Sequence, residues 1–198
     1  MPRLFRWYVH GVDRFNRTLG RIIMYGVFVM AAILLWSSIS KTFFNPSLWT
    51  LEVAQFAMVT YYILGGPYSM QLGSNVRMDL FYAEWSPKKK AWFDAFTVLL
   101  LLFYLGVLLY GGLTSTAYSL GFFGSNAFEF YHKLFVAFFT GGPDAASEVF
   151  GYIERSPTAW RPVLWPIKVV MCLGFFLMLL QSISELIKDI ATIRGEEI

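Results

Sequence analysis

Few residues in this chain could do chemistry. Arg77 and Asp79 stand one residue apart in "MQLGSNVRMDLF" (residues 70–81), directly after 24 uncharged residues, 53–76. An arginine beside a carboxylate could form an acid–base dyad, relay an ion, or anchor a hinge or docking element at a membrane surface. Glu52 stands just before the same uncharged run, and His10 and His132 are the two imidazoles able to titrate near neutral pH. Cys172 is the single cysteine, so no disulfide within the chain is possible. No cysteine cluster, phosphate-binding glycine loop or nucleophile elbow accompanies these residues, which gives no catalytic, cofactor-binding or metal-binding set in the sequence.

The elements that must position them follow from composition. Of 198 residues, 57% are hydrophobic, 19% aromatic and only 15% charged, against roughly 25% charged in a soluble domain. Uncharged runs cover residues 22–40, 53–76, 95–128 and 169–184, the last extended upstream by apolar residues 163–167. A spanning helix needs about 20 apolar residues. The expected class is therefore an all-α integral membrane protein, one domain over 1–198, with spans at 22–40, 53–75, 95–118 and 163–186. The third run, 34 residues, is too long for one span, and Gly111-Gly112 before "TSTAYSLG" is the natural weakening point. A cleaved signal peptide fits the first run poorly, because its apolar part exceeds the usual length, so a retained helix is expected. The net charge of +3 is small and scattered, which argues against nucleic acid.

Of the 16 lysines and arginines, five precede the first span, four lie between the second and third, and two follow the fourth. The loop after the first span has one and the loop after the third has four, so eleven face five. The positive-inside rule puts both termini in the cytoplasm. Six of the seven tryptophans fall near span ends, where interfacial indoles belong, and Trp7 lies on an amphipathic segment, residues 1–20. That segment suits a helix in the cytoplasmic headgroup layer with its arginines toward anionic lipid. In the periplasmic loop, 119–162, "AFEFYHKLFVAFF" (127–139) reads as an interfacial helix with Glu129, His132 and Lys133 on one face. "GGPD" then reads as a turn and "AASEVFGYIER" as a second short helix, and Lys133, Arg155 and Arg161 are candidate contacts for a periplasmic partner.

No span core holds an Asp, Glu, Lys, Arg or His. An ion-coupled carrier acting alone would be expected to keep one there, and a haem subunit would need intramembrane histidines. "LGGPYS" interrupts the second span, and Gly65, Gly66 and Pro67 can be read either as close helix packing with a proline kink or as a midplane substrate site. A self-assembling four-helix channel or exporter is therefore the alternative, and a membrane anchor for an enzyme is a third reading.

"WTLEVAQFAMVTYYILGGPYSMQLGSNVRMDL" resembles the signature region of the small membrane subunit of tripartite ATP-independent periplasmic transporters, the DctQ-like family. Trp49, Glu52, Gly65, Tyr68, Gly73, Arg77 and Asp79 occupy matching places without a gap, and "LWPIK" and "LMLLQ" are similar to the family's last helix. Asn75 replaces a common histidine, Gln71 replaces a common basic residue, and the third loop is longer than usual. The resemblance implies an accessory scaffold of the bacterial inner membrane that pairs with a large elevator-type permease and faces a periplasmic substrate-binding protein. Sodium and substrate, usually an organic acid, would bind the large subunit; this chain would need no cofactor and would contact membrane lipids. On this reading Glu52, Gly65, Gly66, Pro67, Arg77 and Asp79 are structural or subunit-interface residues.

Overall fold

The structure, a computed structural model, describes residues 3–73, 84–124 and 126–196. It is built from helices: α1 (Arg3–Ile23), α2 (Gly26–Phe43), α3 (Thr50–Gln71), α4 (Pro87–Ser119), α5 (Ala127–Glu148) and α6 (Trp165–Arg194). Among the described residues there is no strand, and one isolated antiparallel bridge joins Arg155 to Val163.

Among the described residues, three stretches are long and apolar enough to cross a membrane: Arg3–Phe43, Pro87–Ser119 and Trp165–Arg194. Within the first, Met24 and Tyr25 form a turn, so that amphipathic α1 is set off from apolar α2. The expected first span, 22–40, is therefore shifted: its helix begins at Gly26 and runs to Phe43. α3 has the length at 22 residues. Its hydropathy is diluted by Gln55, Thr60, Tyr61, Tyr62 and Tyr68, and it lies in a groove between α1, α2 and α6.

α4 is unbroken over 33 residues, which corrects the expected weakening at Gly111-Gly112. The hydroxyls after the glycines do not unwind the helix. Thr114, Thr116 and Ser119 each donate back to the carbonyl four residues earlier, at 3.0, 2.8 and 3.1 Å. Gly112 meanwhile faces α6, where an added Cβ would stand 3.0 Å from Cys172 Sγ. The glycine sharpens a helix contact instead of ending a helix.

Several other boundaries have a local cause. Pro87 opens α4 in the first turn, where its missing N–H costs nothing. The Asn126 side chain caps α5 by accepting from Phe128 N at 3.1 Å. Gly142, with φ 74 and ψ −165, breaks α5 at "GGPD", as the sequence suggests, but the second segment ends at Glu148 and not near 155. From there the chain turns back over the end of α4. Gly151 N donates to Leu120 O at 2.9 Å and Glu154 N to Ser119 O at 3.0 Å, satisfying carbonyls the helix leaves open. Gly121 (φ 87) and Gly151 meet backbone to backbone at this crossing, so a side chain at either would part them. Ala117, Leu120, Ala127 and Phe130 form a buried cluster beneath it. α6 ends on left-handed Gly195 (φ 72).

α3 and α6 approach closely at small residues. Pro67 has no N–H to give the Ile63 carbonyl four residues earlier. That carbonyl lies against Gly174 of α6, where a Cβ would stand 3.1 Å from Ile63 O and collide with its side chain. One turn along α6, Met178 covers Gly66, with Sδ 2.9 Å from where a Cβ would be.

Candidate functional site

Two polar junctions lie at opposite ends of α6. From Lys168 to Lys188 is 20 residues, about 30 Å along a helix, close to the thickness of a bilayer's hydrocarbon core. The 16 residues between them, 169–184, carry no charge.

The first junction centres on Gln181, which is fully buried. Its Oε1 accepts from Asn16 Nδ2 at 2.7 Å, while its Nε2 donates to Asp13 Oδ1 at 3.0 Å and to Glu185 Oε1 at 2.8 Å. Ser184 adds a bond to Asp13 Oδ1 at 3.0 Å, and Lys188 Nζ pairs with Asp13 Oδ2 at 2.7 Å and Glu185 Oε1 at 2.9 Å. Gln71 Nε2 brings in the end of α3 through Asp13 O at 3.0 Å. Three helices are therefore tied here, while Asn16 Oδ1 and Gln71 Oε1 are buried without a partner among the described residues. Sequence reasoning missed this cluster as a unit, though the signal was present. Gln181, Ser184, Glu185 and Lys188 recur at i, i+3, i+4 and i+7 on one face of α6, and Asp13, Asn16 and Gly20 recur similarly on α1.

The second junction holds the segment 149–164 against the opposite end. Glu52, in the first turn of α3, is only 5% exposed. Its Oε1 accepts from Ser156 Oγ at 2.8 Å and from Thr158 Oγ1, while Oε2 is buried without a partner. Glu154 accepts from Ser119 Oγ and pairs with Lys168 Nζ at 2.7 Å. The Lys168 ammonium, helped by the Ser119 hydroxyl, holds the Glu154 carboxyl below its ordinary value. Lys168 Nζ also reaches Ser115 O at 3.3 Å, clamping α4, α6 and the loop together.

The remaining candidates divide between these places. Gly65 faces Ile23, while Gly66 and Pro67 are occupied by this chain's own packing. Lys133 pairs with Glu129 at 2.6 Å on the exposed face of α5, and Arg155 and Arg161 are exposed at the second junction, Arg161 in a left-handed turn (φ 50). His10 and His132 are both exposed and far apart in sequence on different helices. Arg77 and Asp79 lie outside the described residues. Among the described residues no group of three or more His, Cys, Asp or Glu could hold a metal ion.

Polar ends joined by apolar helices are the form of a membrane component, and the family comparison agrees. The model for the DctQ component of tripartite ATP-independent periplasmic transporters matches residues 30–192. The chain belongs to this family. No curated protein and no solved structure matches it. The match takes in α3, α4, α5, most of α2 and all but the end of α6, and leaves out α1. Of the first junction, this DctQ component therefore holds Gln181, Ser184, Glu185 and Lys188 inside the family region, and Asp13 and Asn16 outside it. The family is one of transporter components and not of enzymes.

Proposed function

We propose that this DctQ component is the accessory scaffold of a sodium-coupled, binding-protein-dependent secondary transporter. It crosses the bacterial inner membrane four times, through α2, α3, α4 and α6, with both termini cytoplasmic. The first junction is then the cytoplasmic end and the second the periplasmic end. The observation that carries this reading is the segregation of charge: every Asp, Glu, Lys, Arg and His of the proposed spans lies near one of two ends, leaving no charged group at mid-depth to bind or relay an ion. α3 crosses despite its modest hydropathy because neighbouring helices cover much of it. A large elevator-type permease supplies the sodium and substrate sites, and the substrate is an organic acid or related small solute delivered by a periplasmic binding protein. The second span's small residues are taken up within the chain, so the lateral faces open to the permease are those of α2, with only Ser40 buried, and the outer side of α4. A fixed body of this kind gives a moving domain something to move against.

The chain alone in liposomes should transport nothing, and the large subunit without it should lose uptake. Sodium-driven uptake by the chain alone would overturn the proposal, and an active purified homodimer would favour the exporter. Sidedness has its own test. Gly11→Cys, whose new Cβ would meet nothing within 4 Å, should label only from the cytoplasm, and His132→Cys only from the periplasm.

A further inference from the structure

Beside the first junction, α1 and α6 enclose an open recess of about 440 Å³ lined by Val9, His10, Asp13, Arg14, Arg17 and Lys188. Its volume falls within the roughly 300–1,000 Å³ of small-ligand sites. The charges lining it are not equivalent. Lys188 is committed to Asp13 and Glu185, at 2.7 and 2.9 Å, and those carboxylates neutralise it. Arg14 and Arg17 are exposed, and neither side chain enters an ion pair or hydrogen bond among the described residues. They stand at i and i+3, so both guanidinium groups open on one face of α1. Two guanidinium forks without partners among the described residues, in a recess floored by Val9, fit a phosphate with an attached organic group.

We propose that this recess binds the headgroup phosphate of an anionic phospholipid. The lipid source follows from the rest of α1. Leu4, Phe15 and Ile22, exposed by 72, 56 and 64%, form an apolar stripe, about 80–160° around the helix from the two arginines. A helix so divided lies at a membrane surface with its basic residues at headgroup depth, and basic pockets beside spanning helices suit lipid headgroups. The inference rests on α1 lying at the membrane, but not on which side of the membrane it lies.

The test uses the full chain in nanodiscs of mixed phosphatidylglycerol and phosphatidylcholine, released into native mass spectrometry. One retained phosphatidylglycerol per chain is expected. The Arg14→Gln/Arg17→Gln double variant should lower its retention about tenfold or more. Arg3→Gln/Arg21→Gln removes the same charge from the same helix outside the recess and should change retention by less than about threefold. Equal losses in the two double variants would mean diffuse attraction, and no loss in either would mean no site. Displacement of the lipid from the unaltered chain by excess inorganic phosphate would mean a soluble anion is the ligand. Any of these overturns the proposal. Both leaflets of a nanodisc have the same lipid, so a reversed topology would leave the result unchanged and would show only in the cysteine labelling.

Discussion

The two ends of α6 are built on different plans. At the Gln181 end, side chains of α1 and α6 meet one another, Gln71 of α3 reaches the Asp13 carbonyl, and the network's centre has no solvent exposure. At the Glu52 end, backbone bonds do much of the joining, and carboxylates of α3 and the loop settle onto hydroxyls and one lysine. The contrast teaches how one bundle can hold its helices fixed and still offer a surface. The first plan fixes helix against helix. The second fixes a loop whose outward residues, Arg155 and Arg161, remain open.

If that contrast is right, the largest loss comes from the buried centre. Gln181→Leu leaves Asn16 Nδ2 and one bond of Asp13 without partners. It should cost about 2–4 kcal/mol, since each buried polar group stranded costs roughly 1–3. For a chain of this size that lowers the melting temperature by roughly 4–16 °C. Adding Asn16→Leu should cost less than the two single changes summed, because a stranded donor is removed with its partner. Full additivity in detergent melts would show that the cluster is not one network.

Next is the outer latch. Glu52→Ala should cost about 1–2 kcal/mol, because Ser156 and Thr158 lose their shared acceptor. It should also speed proteolysis within 149–164 more than elsewhere. Glu52→Gln retains the acceptor oxygen and should come within about 1 kcal/mol of the unaltered chain. If Ala at 52 and Leu at 181 cost the same, and cleavage were uniform, the two ends would not differ in plan.

The sequence shows these ends unequally, for physical reasons. The helices were legible because apolar run length is a property of neighbours in the chain, and the break at Gly142 because glycine and proline act locally. Helix α4 was misjudged at Gly111-Gly112 because its hydroxyls bond back to the helix's own carbonyls and Gly112 packs on Cys172, 60 residues later. The Gln181 network escaped because its members come from residues 13–16, 71 and 181–188. The i, i+3, i+4, i+7 spacing on α6 marked a polar face, but only the fold shows that α1 covers it. Glu52 was readable as a helix-start carboxylate. Its tie to Ser156 and Thr158 spans more than 100 residues and was not.

Acid should separate the ends more gently. Glu154 has its pKa lowered by Lys168 and Ser119 in the folded chain, so its contribution is complete above the ordinary 4.5 and is lost as pH falls through the lower folded value. The gap in melting temperature between the unaltered chain and Glu154→Gln should be constant near neutrality and close below about pH 4.5. A gap that instead widened in acid would place the stabilising charge elsewhere.

The smallest effect should come from Glu129→Gln. Its partner Lys133 is 2.6 Å away, but both side chains are more than half exposed. Solvent and salt screen such an i, i+4 pair, so the melting temperature of the isolated chain should not change measurably. The same substitution becomes informative in the assembled transporter. α5 presents Phe128, Phe135, Phe138 and Phe139 outward and is held to the bundle mainly through its buried side. If a partner covers that helix, the ion pair is desolvated on assembly, and losing Glu129 strands Lys133 in the interface. Assembly should then weaken while the isolated chain keeps its stability. A chain that melted differently alone, yet assembled normally, would mean that α5 belongs to the rigid body and is not part of the surface it offers.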